Sequence, residues 1–380
     1  MSTQIIDRTP AEVFPPGEFI REEIEARGWS QAELAEILGR PPRLVSELIA
    51  GKRAITAETA KGLGEAFGTG AQFWMNLESA YQLFKAEPSG REGVVARRAK
   101  LYEKAPVKEM IRRRWIEPSE SIEVLEKRVE DFLSVPLIPH AARKSTSYLD
   151  EVSPAQHAWL VRARQLAGST GAASFSPSNI EGLLSELRRL LASAEEVRHV
   201  PRLLANAGIR FVIVEPLPQI RVDGACFWLD RSSPAIALSL RFDRIDWWWF
   251  TLMHELAHVK HKDGQDTVLL DVDLLGEDTQ ETKQPKPDFE LKADEFAASF
   301  LVPPDKLQSF IARVKPLFSK QRIRAFAAQH QVHPGIVVGQ LHHAGAISYA
   351  HSRDLLEKVR GTLKESALTD GWGSMLPVTM

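Results

Sequence analysis

The sequence predicts an α+β protein that is predominantly helical and contains two domains of different character. The first observation is a series of short amphipathic helix patterns separated by glycines over residues 14–84. The second is a group of alternating apolar runs after position 200, typical of strands, followed by a long apolar helix pattern. We therefore divide the chain into an all-helical domain (14–84), a helical connector (85–199), a domain with a small sheet (200–350) and a tail (351–380).

The composition limits the class of protein. The 380 residues are 44% hydrophobic with a net charge of −2, so no overall field draws the chain to nucleic acid or to a membrane. The one cysteine, Cys226, excludes a disulfide framework and a cysteine-based zinc site. The first residues lack a signal-peptide pattern, and no apolar run approaches the ~18 residues of a membrane span. We expect a cytoplasmic protein without a membrane partner.

The N-terminal domain contains two short helix patterns joined by a tight turn. Ser30 is a good N-cap for the first helix, with Glu33 as its capping-box partner, and that helix ends at Gly39. Pro42 can open the next helix, since the first helical position needs no backbone N–H. Two short helices around a glycine-containing turn are typical of a helix-turn-helix, whose second helix enters the major groove of DNA.

Basic residues cluster at the two ends of this second helix. The first 83 residues are otherwise net acidic, with eight Lys or Arg against twelve Asp or Glu. Basic side chains at the helix ends would lie over phosphates and base edges. The candidate DNA-binding residues are Gln31, Arg40, Arg43, Ser46, Lys52 and Arg53. The alternative is a helical bundle for protein contact, whose basic side chains are merely solvated.

This stretch resembles a known family of DNA-binding proteins. The resemblance to the HigA-like antitoxin branch of the Xre-type helix-turn-helix family is carried by SQAELAEILG, VSELIAGKRAIT, TAKGLGEAFGT and FWMNLESAYQL. It implies a lambda-repressor-like fold, a homodimer that binds double-stranded operator DNA, and a toxin as a further partner. One departure is the turn Arg40-Pro41-Pro42, where the family usually carries a small polar residue, and two prolines stiffen this turn.

The C-terminal domain is organised around the helix pattern WWWFTLMHELAHVK at residues 247–260. His254 and His258 are four residues apart and therefore share one helix face, where two imidazoles can hold a divalent metal, best Zn²⁺. Glu255 is one step round the helix, where it can take a proton from a water molecule at the metal. The alternative is a pair of half-buried histidines on an ordinary core helix.

A catalytic zinc also needs a third protein ligand. Glu290 lies within the apolar arc of the pattern FELKADEFAASFLVP, whereas Glu295 points to the opposite side. A carboxylate on a buried stripe is costly unless it is paired or coordinating, so Glu290 is the better ligand, although a helix-start charge is the alternative. Asp294, at the edge of the arc, can orient a histidine ligand. His261 lies about 10 Å beyond His254 along the helix axis, too far for a shared metal.

HELAH, followed by E-x-x-A-D-x-F-A-A and LVP, is similar to the ImmA/IrrE family of metallopeptidases over about residues 200–350. The resemblance implies a zincin-like fold in which Glu290 completes the zinc site, and an endopeptidase that inactivates a partner repressor. We therefore expect a DNA-binding transcriptional regulator whose zinc peptidase cleaves a repressor-type protein or its own chain, in a stress, phage or toxin–antitoxin response. The alternative is a non-enzymatic HigA-like antitoxin or repressor, whose zincin-like domain only binds a partner or senses a signal.

Two charged segments permit two interpretations each. Residues 91–115 carry nine Lys or Arg against three acids, and residues 263–295 carry eleven acids against three Lys. The basic segment either extends the DNA footprint or makes solvated and intramolecular contacts, which we favour. The acidic segment Asp263–Asp288 is either a lid over the metal cleft or an exposed insertion, and we favour the insertion.

Overall fold

The computed structural model describes residues 13–86, 93–135, 152–265, 268–272 and 286–370. The chain divides into two compact units, Met1–Val95 and Ala96–Met380. Within the described part, no helix is both long and apolar enough to cross a membrane.

The N-terminal unit is an all-helical bundle. Its described helices are α1 (Pro16–Arg27), α2 (Gln31–Ile37), α3 (Pro42–Ile49), α4 (Ala57–Phe67) and α5 (Ala71–Lys85). Their apolar faces meet in one core, which includes the buried side chains of Ile20, Leu34, Val45, Leu48, Leu63 and Trp74. Glu78 of α5 is buried and accepts a hydrogen bond from the backbone N–H of Ile55 (2.9 Å), which ties α5 to the loop before α4.

The turn between α2 and α3 follows the local sequence. Ser30 and Glu33 form the predicted capping box, because the Ser30 side chain accepts from the backbone N–H of Glu33 and the Glu33 carboxylate accepts from the N–H of Ser30. Pro41 is extended, and Pro42 is the first residue of α3. Both predictions are confirmed, and the two prolines fit the turn without a missing helical hydrogen bond.

The second unit combines helices with one small sheet. Its described helices are α6 (Val94–Lys104), α7 (Val107–Arg112), α8 (Ile122–Leu133), α9 (Pro154–Ser169), α10 (Asn179–Leu190), α11 (Val200–Asn206), α12 (Ile245–His261), α13 (Asp288–Leu301), α14 (Pro304–Val314), α15 (Lys320–Gln329), α16 (Pro334–His343) and α17 (Arg360–Lys364), with 3-10 turns at Ala194–His199 and Arg353–Leu355. The strands are β1 (Arg210–Ile213), β2 (Val222–Trp228), β3 (Pro234–Leu238), β4 (Leu269–Val272) and β5 (Leu368–Thr369).

The sheet is mixed, with the strand order β4-β2-β3-β1-β5. Strand β1 is parallel to β3 and β5, whereas β2 is antiparallel to β3 and β4. The three strands predicted after position 200 are β1, β2 and β3, which confirms the small sheet. The two outer strands come from the acidic segment and from the predicted tail, where the sequence prediction contains no strand.

Helix α12 lies at the centre of the second unit and positions the metal-binding motif. Every residue from Ile245 to Val259 is buried, since the helix packs against β2 and β3 on one side and against α13 and α16 on others. The helix ends at His261, where Lys262 adopts a left-handed conformation (φ 62°). An all-round buried helix explains the continuous apolar run that precedes His254.

Helices from the predicted connector pack in the same unit as the sheet. Trp159 of α9 donates a hydrogen bond from its indole N–H to the backbone carbonyl of Val214 (2.8 Å). The buried guanidinium of Arg113 donates to the carbonyls of Glu215 (2.6 Å) and Pro216 (2.7 Å). Helix α9 packs against β1 and β3, and α8 packs against α9, because short helices cannot form a core alone.

Candidate metal centre and DNA-binding surface

Two histidines and one glutamate converge in the interior of the second unit. His254 and His258 are one turn apart on α12, and Glu290 lies in the first turn of α13, which packs along α12. The two Nε2 atoms are 3.0 Å apart. Oε2 of Glu290 is 3.1 Å from Nε2 of His254 and 3.8 Å from Nε2 of His258. All three side chains are buried.

These separations suit a zinc ion. Zinc bonds of about 2.0–2.1 Å at tetrahedral angles place neighbouring donor atoms about 3.3–3.4 Å apart. The observed separations of 3.0, 3.1 and 3.8 Å bracket that value. In addition, the buried Oε1 of Glu290 has no hydrogen-bond partner in the described part of the chain, which is costly unless a cation compensates it. The donor set therefore fits zinc.

Two further carboxylates lie close to the Nδ1 atoms of the two imidazole rings. Nδ1 of His254 is 2.9 Å from Oδ1 of Asp294, and Nδ1 of His258 is 3.2 Å from Oδ2 of Asp263. Asp294 is also paired with Lys286 (2.7 Å). A carboxylate in this place fixes the ring orientation and raises the basicity of the opposite nitrogen. The sequence predicts Asp294 beside a histidine, whereas Asp263 is an addition from the structure.

Glu255 lies beside the histidine pair in a space that a glycine leaves open. The side chain is fully buried, and neither carboxylate oxygen has a hydrogen-bond partner among the described residues. A Cβ atom added to Gly224 of β2 would overlap Oε1 of Glu255. The missing side chain at Gly224 therefore lets this carboxylate lie between the helix and the sheet.

The acidic groups of the cluster have opposite pKa shifts. Burial raises the pKa of Glu255 well above its usual value, and the neighbouring charges of Asp271 and Glu290 raise it further. Burial also acts to raise the pKa of Glu290, but hydrogen bonds with His254 and His258 outweigh burial and lower this pKa to about 2. Glu290 is thus held as an anion, while Glu255 has an increased affinity for a proton. Such a contrast is typical of acid–base sites.

A fifth acidic side chain, Asp271, reaches the cluster from the sheet. Asp271 of β4 is buried, and its Oδ1 is 3.5 Å from Nε2 of His254. One potential ligand atom from each of His254, His258, Asp271 and Glu290 lies within 4.8 Å of all the others. Burial alone would lower the pKa of His254, but Asp271, together with Asp294 and Glu290, raises it well above its usual value.

The sequence prediction does not include Asp271 or Asp263 in the site, because both belong to the segment interpreted as an exposed insertion. In the structure, Leu269–Val272 instead form strand β4 of the sheet, and Val268 to Asp271 are buried. The interpretation as an exposed insertion is therefore wrong for these residues, and residues 273–285 lie outside the described part. The available signal was the apolar run Val268–Leu270, which is typical of a short buried strand.

The rejected candidates for the third ligand lie outside the cluster. His261 and Glu295 are both exposed, although each is on one of the two helices that form the site. Glu290 and Glu295 differ because their positions on α13 face opposite sides, as the helix pattern predicts.

The six candidate DNA-binding residues are all exposed on the N-terminal unit. They are Gln31 at the start of α2, Arg40 before α3, Arg43 and Ser46 on α3, and Lys52 and Arg53 after it. The opposite face of α3 is buried through Val45, Leu48 and Ile49. Helix α3 therefore presents a polar and basic face while its apolar face anchors it to the core.

Glu47 holds two of these arginines. Its two carboxylate oxygens accept hydrogen bonds from Nε of Arg43 (2.7 Å) and Nε of Arg53 (2.8 Å), which lower the pKa of Glu47. Arg40 forms an ion pair with Glu58 at the start of α4. Acidic side chains thus contact all three arginines, and the Arg43 side chain is the most exposed of the three at 87%.

Comparison with known proteins assigns a family to each unit. Residues 20–74 match a family model described as helix-turn-helix, and residues 206–339 match one described as the IrrE N-terminal-like domain. Virulence-associated protein I of Dichelobacter nodosus is 42% identical over 73 residues, which are 19% of this chain and 68% of that protein. The HTH-type transcriptional regulator YddM of Escherichia coli K12 is 36% identical over 72 residues, or 19% of this chain and 77% of that protein.

Similar solved structures include two antitoxins. The addiction module antidote protein of the HigA family from Coxiella burnetii is 38% identical and covers 21% of this chain and 88% of its own, with a TM-score of 0.20. The Pseudomonas aeruginosa antitoxin HigA, solved with the higBA promoter, is 36% identical and covers 22% of this chain and 91% of its own, with a TM-score of 0.21. The chain therefore belongs to the helix-turn-helix family of transcriptional regulators and carries an IrrE N-terminal-like domain in the same polypeptide.

Proposed function

We propose that this chain is a DNA-binding regulator whose IrrE-like domain is a zinc-dependent endopeptidase. The observation that carries the proposal is the buried cluster in which His254, His258 and Glu290 face one another at 3.0–3.8 Å. Glu255 is a fully buried carboxyl group beside them without a hydrogen-bond partner among the described residues. Its presence favours a catalytic site over a site that only stores metal. A purely structural zinc site has no use for such a group.

His254, His258 and Glu290 would hold the metal, and Asp294 and Asp263 would orient the two rings. The chemistry that bound zinc supplies is Lewis acidity toward a water molecule and a peptide carbonyl. Glu255 would accept a proton from the attacking water and pass it to the leaving amine. Its raised pKa suits both steps, because a carboxyl group must take up the proton and hold it until the peptide bond breaks.

The helix-turn-helix unit would bring this activity to operator DNA. Helix α3 would lie in the major groove, with Arg43 and Ser46 toward base edges and Arg40, Lys52 and Arg53 toward phosphates. Gln31, at the start of α2, would contact the backbone of the duplex. A homodimer would place two copies of α3 on a symmetric operator, since a two-fold symmetric protein matches a two-fold symmetric site.

The protein substrate would be a repressor-type protein or this chain itself, in the cytoplasm. A toxin would be a further partner, in keeping with the antitoxins among the similar structures. A chain that carries both a DNA-binding unit and a peptidase can couple cleavage to release of transcription. Such coupling suits a stress, phage or toxin–antitoxin response.

The test is a comparison of wild type with Glu255→Gln in cells and in vitro. We expect the variant to bind zinc and operator DNA as wild type does, since the glutamine keeps the shape and the three ligands are unchanged. Cleavage of the candidate repressor, measured by immunoblot, and derepression of a reporter should both be lost. Glu295→Gln is the matched control, because Glu295 is exposed on α13 and away from the cluster.

The alternative is a regulator without enzymatic activity, in which the IrrE-like domain only binds a partner or senses a signal. The non-enzymatic alternative predicts that Glu255→Gln shows the same derepression as wild type and the same cleavage products. Unchanged derepression and cleavage in this variant would therefore remove the peptidase and leave the non-enzymatic regulator. Failure of the wild-type protein to bind zinc would exclude the zinc peptidase.

A further inference from the structure

Strand β4 brings a carboxylate to the metal cluster from an unexpected direction. The strand covers Leu269–Val272 and forms the outer edge of the sheet, paired antiparallel with β2. Asp271 lies opposite Gly224, the residue that makes room for Glu255. A register irregularity between Val222 and Gly224 interrupts the ladder at this point. The sheet therefore brings the carboxylate of Asp271 to the cluster, next to Glu255.

Asp271 lies at a distance from His254 that suits two ligands of one metal ion. Its Oδ1 is 3.5 Å from Nε2 of His254, close to the separation of about 3.3–3.4 Å expected for two donors on one tetrahedral zinc. Asp271 is 2% exposed, and its Oδ2 has no hydrogen-bond partner within the described residues. Arg or Lys does not neutralise this carboxylate in any ion pair of the described part. A buried carboxylate is costly unless a cation compensates its charge, and here that cation is either a protonated His254 or a metal ion held between the donor atoms.

We propose that Asp271 is a fourth protein ligand of the metal, which closes the site in the folded chain. This inference rests on the proposed zinc peptidase, because it concerns the same metal centre. Zinc sites with three protein ligands keep one position for water, whereas sites with four protein ligands are closed. Asp271 would then occupy the coordination position that a water molecule needs for the reaction.

The location of β4 allows Asp271 to leave the metal when another segment pairs with the strand. Strand β4 is short and lies at the edge of the sheet, where an extended peptide can pair by backbone hydrogen bonds. Its apolar residues Leu269 and Leu270 are buried, so the strand is held in place and does not leave without a competing contact. A substrate or partner segment that pairs at this edge would displace or shift Asp271. The active form is then the one in which Asp271 has left the metal.

The test uses cobalt in place of zinc, because the visible absorption of Co²⁺ reports its ligands without any peptidase assay. The full-length protein is loaded with Co²⁺ and titrated with acetohydroxamate, a small chelating anion that needs an open position. Wild type should show little spectral change, and Asp271→Asn should show a clear change at the same concentrations. Competition with a chelating dye should give a zinc affinity at least about 10-fold lower for Asp271→Asn than for wild type, because loss of a direct ligand costs no less than loss of a group that only orients one. Val272→Ala is the matched control, because Val272 is the next residue on β4 and is 42% exposed.

The outcomes separate this inference from the proposed function. A wild-type cobalt spectrum that responds to acetohydroxamate as readily as the variant overturns the role of Asp271 and leaves the peptidase intact. Equal zinc affinities for wild type and Asp271→Asn overturn it as well. If Asp271→Asn does not fold, the wild-type titration alone decides, since a closed site does not respond. Absence of metal binding by wild type contradicts the proposed function itself.

Discussion

Asp294→Asn tests how the histidine pair is held. Asp294 lies 2.9 Å from Nδ1 of His254 and has no role as a direct ligand in the proposed site. Loss of a carboxylate behind a metal-bound histidine costs 10- to 100-fold in metal affinity, or about 1.4–2.8 kcal/mol. Asparagine keeps an oxygen that can accept from the imidazole N–H and loses only the charge. We therefore expect a loss near the lower limit, about 10-fold.

Asp294→Ala removes the acceptor as well as the charge, and should approach the upper limit of about 100-fold. The Asp294 side chain is 24% exposed and also contacts Lys286, so water can replace part of the lost contact. For this reason we do not expect a greater loss. The control is Glu295→Gln, which changes the next residue on the exposed side of the same helix.

The assay is competition for Zn²⁺ between the purified full-length chain and a chelating dye. Thermal unfolding without added metal serves as a check that the variants are folded. The expected order of affinity is wild type equal to Glu295→Gln, then Asp294→Asn, then Asp294→Ala. If both Asp294 variants bind zinc as tightly as wild type, the idea that this carboxylate orients His254 is refuted. A similar loss of zinc affinity in Glu295→Gln would show that the loss in the Asp294 variants comes only from the change in net charge.

Two other predictions concern the neighbouring strand and the DNA-binding helix. Gly224→Ala should displace the Glu255 carboxylate and lower peptidase activity by about 100-fold, as a shift of about 1 Å in a catalytic group does, with zinc affinity retained. Equal activity in this variant would contradict the placement of Glu255. Arg43→Ala should weaken operator binding by about 1–3 kcal/mol in gel-shift titrations if the side chain reads a base, while Arg21→Ala on α1 should not. An unaltered titration for Arg43→Ala would exclude α3 as the recognition helix.

Local signals in the sequence predict the N-terminal unit well. The capping box of Ser30 and Glu33 and the proline at the start of α3 are interactions between residues close in sequence. Their physical basis is the need to satisfy free N–H groups at a helix start, which does not depend on distant parts of the chain. The helix ends could therefore be predicted from the residues alone.

The helix pattern also separates Glu290 from Glu295. The helical period places Glu290 on the apolar face of α13 and Glu295 on the other, and the structure agrees, with Glu290 3% exposed. A buried acid is costly, so its presence on an apolar face points to a partner before that partner is known. The sequence thus indicates Glu290 as one acid of the candidate site, but not all of the other acids around it.

The positions of Asp271 and Asp263 beside the histidines could not be predicted from the sequence. Both lie in a segment whose many acids suggest exposure, and a residue-type count does not show that β4 pairs with β2. Strand pairing joins residues that are far apart in sequence, and its register decides which side chain faces the cluster. Gly224 is a similar case, because only the contact with Glu255 explains why a side chain is absent there.

The sequence by itself determined the helix-turn-helix, the shared helix face of His254 and His258, and the burial of Glu290, because each depends on helical periodicity or on end-capping contacts within a few residues. The tertiary structure decided which acids complete the cluster and which helices pack on the sheet. Those features depend on packing between segments that the chain brings together only on folding, such as Asp271 of β4 against His254 of α12. Periodicity cannot describe contacts of that kind, since their partners share no local pattern.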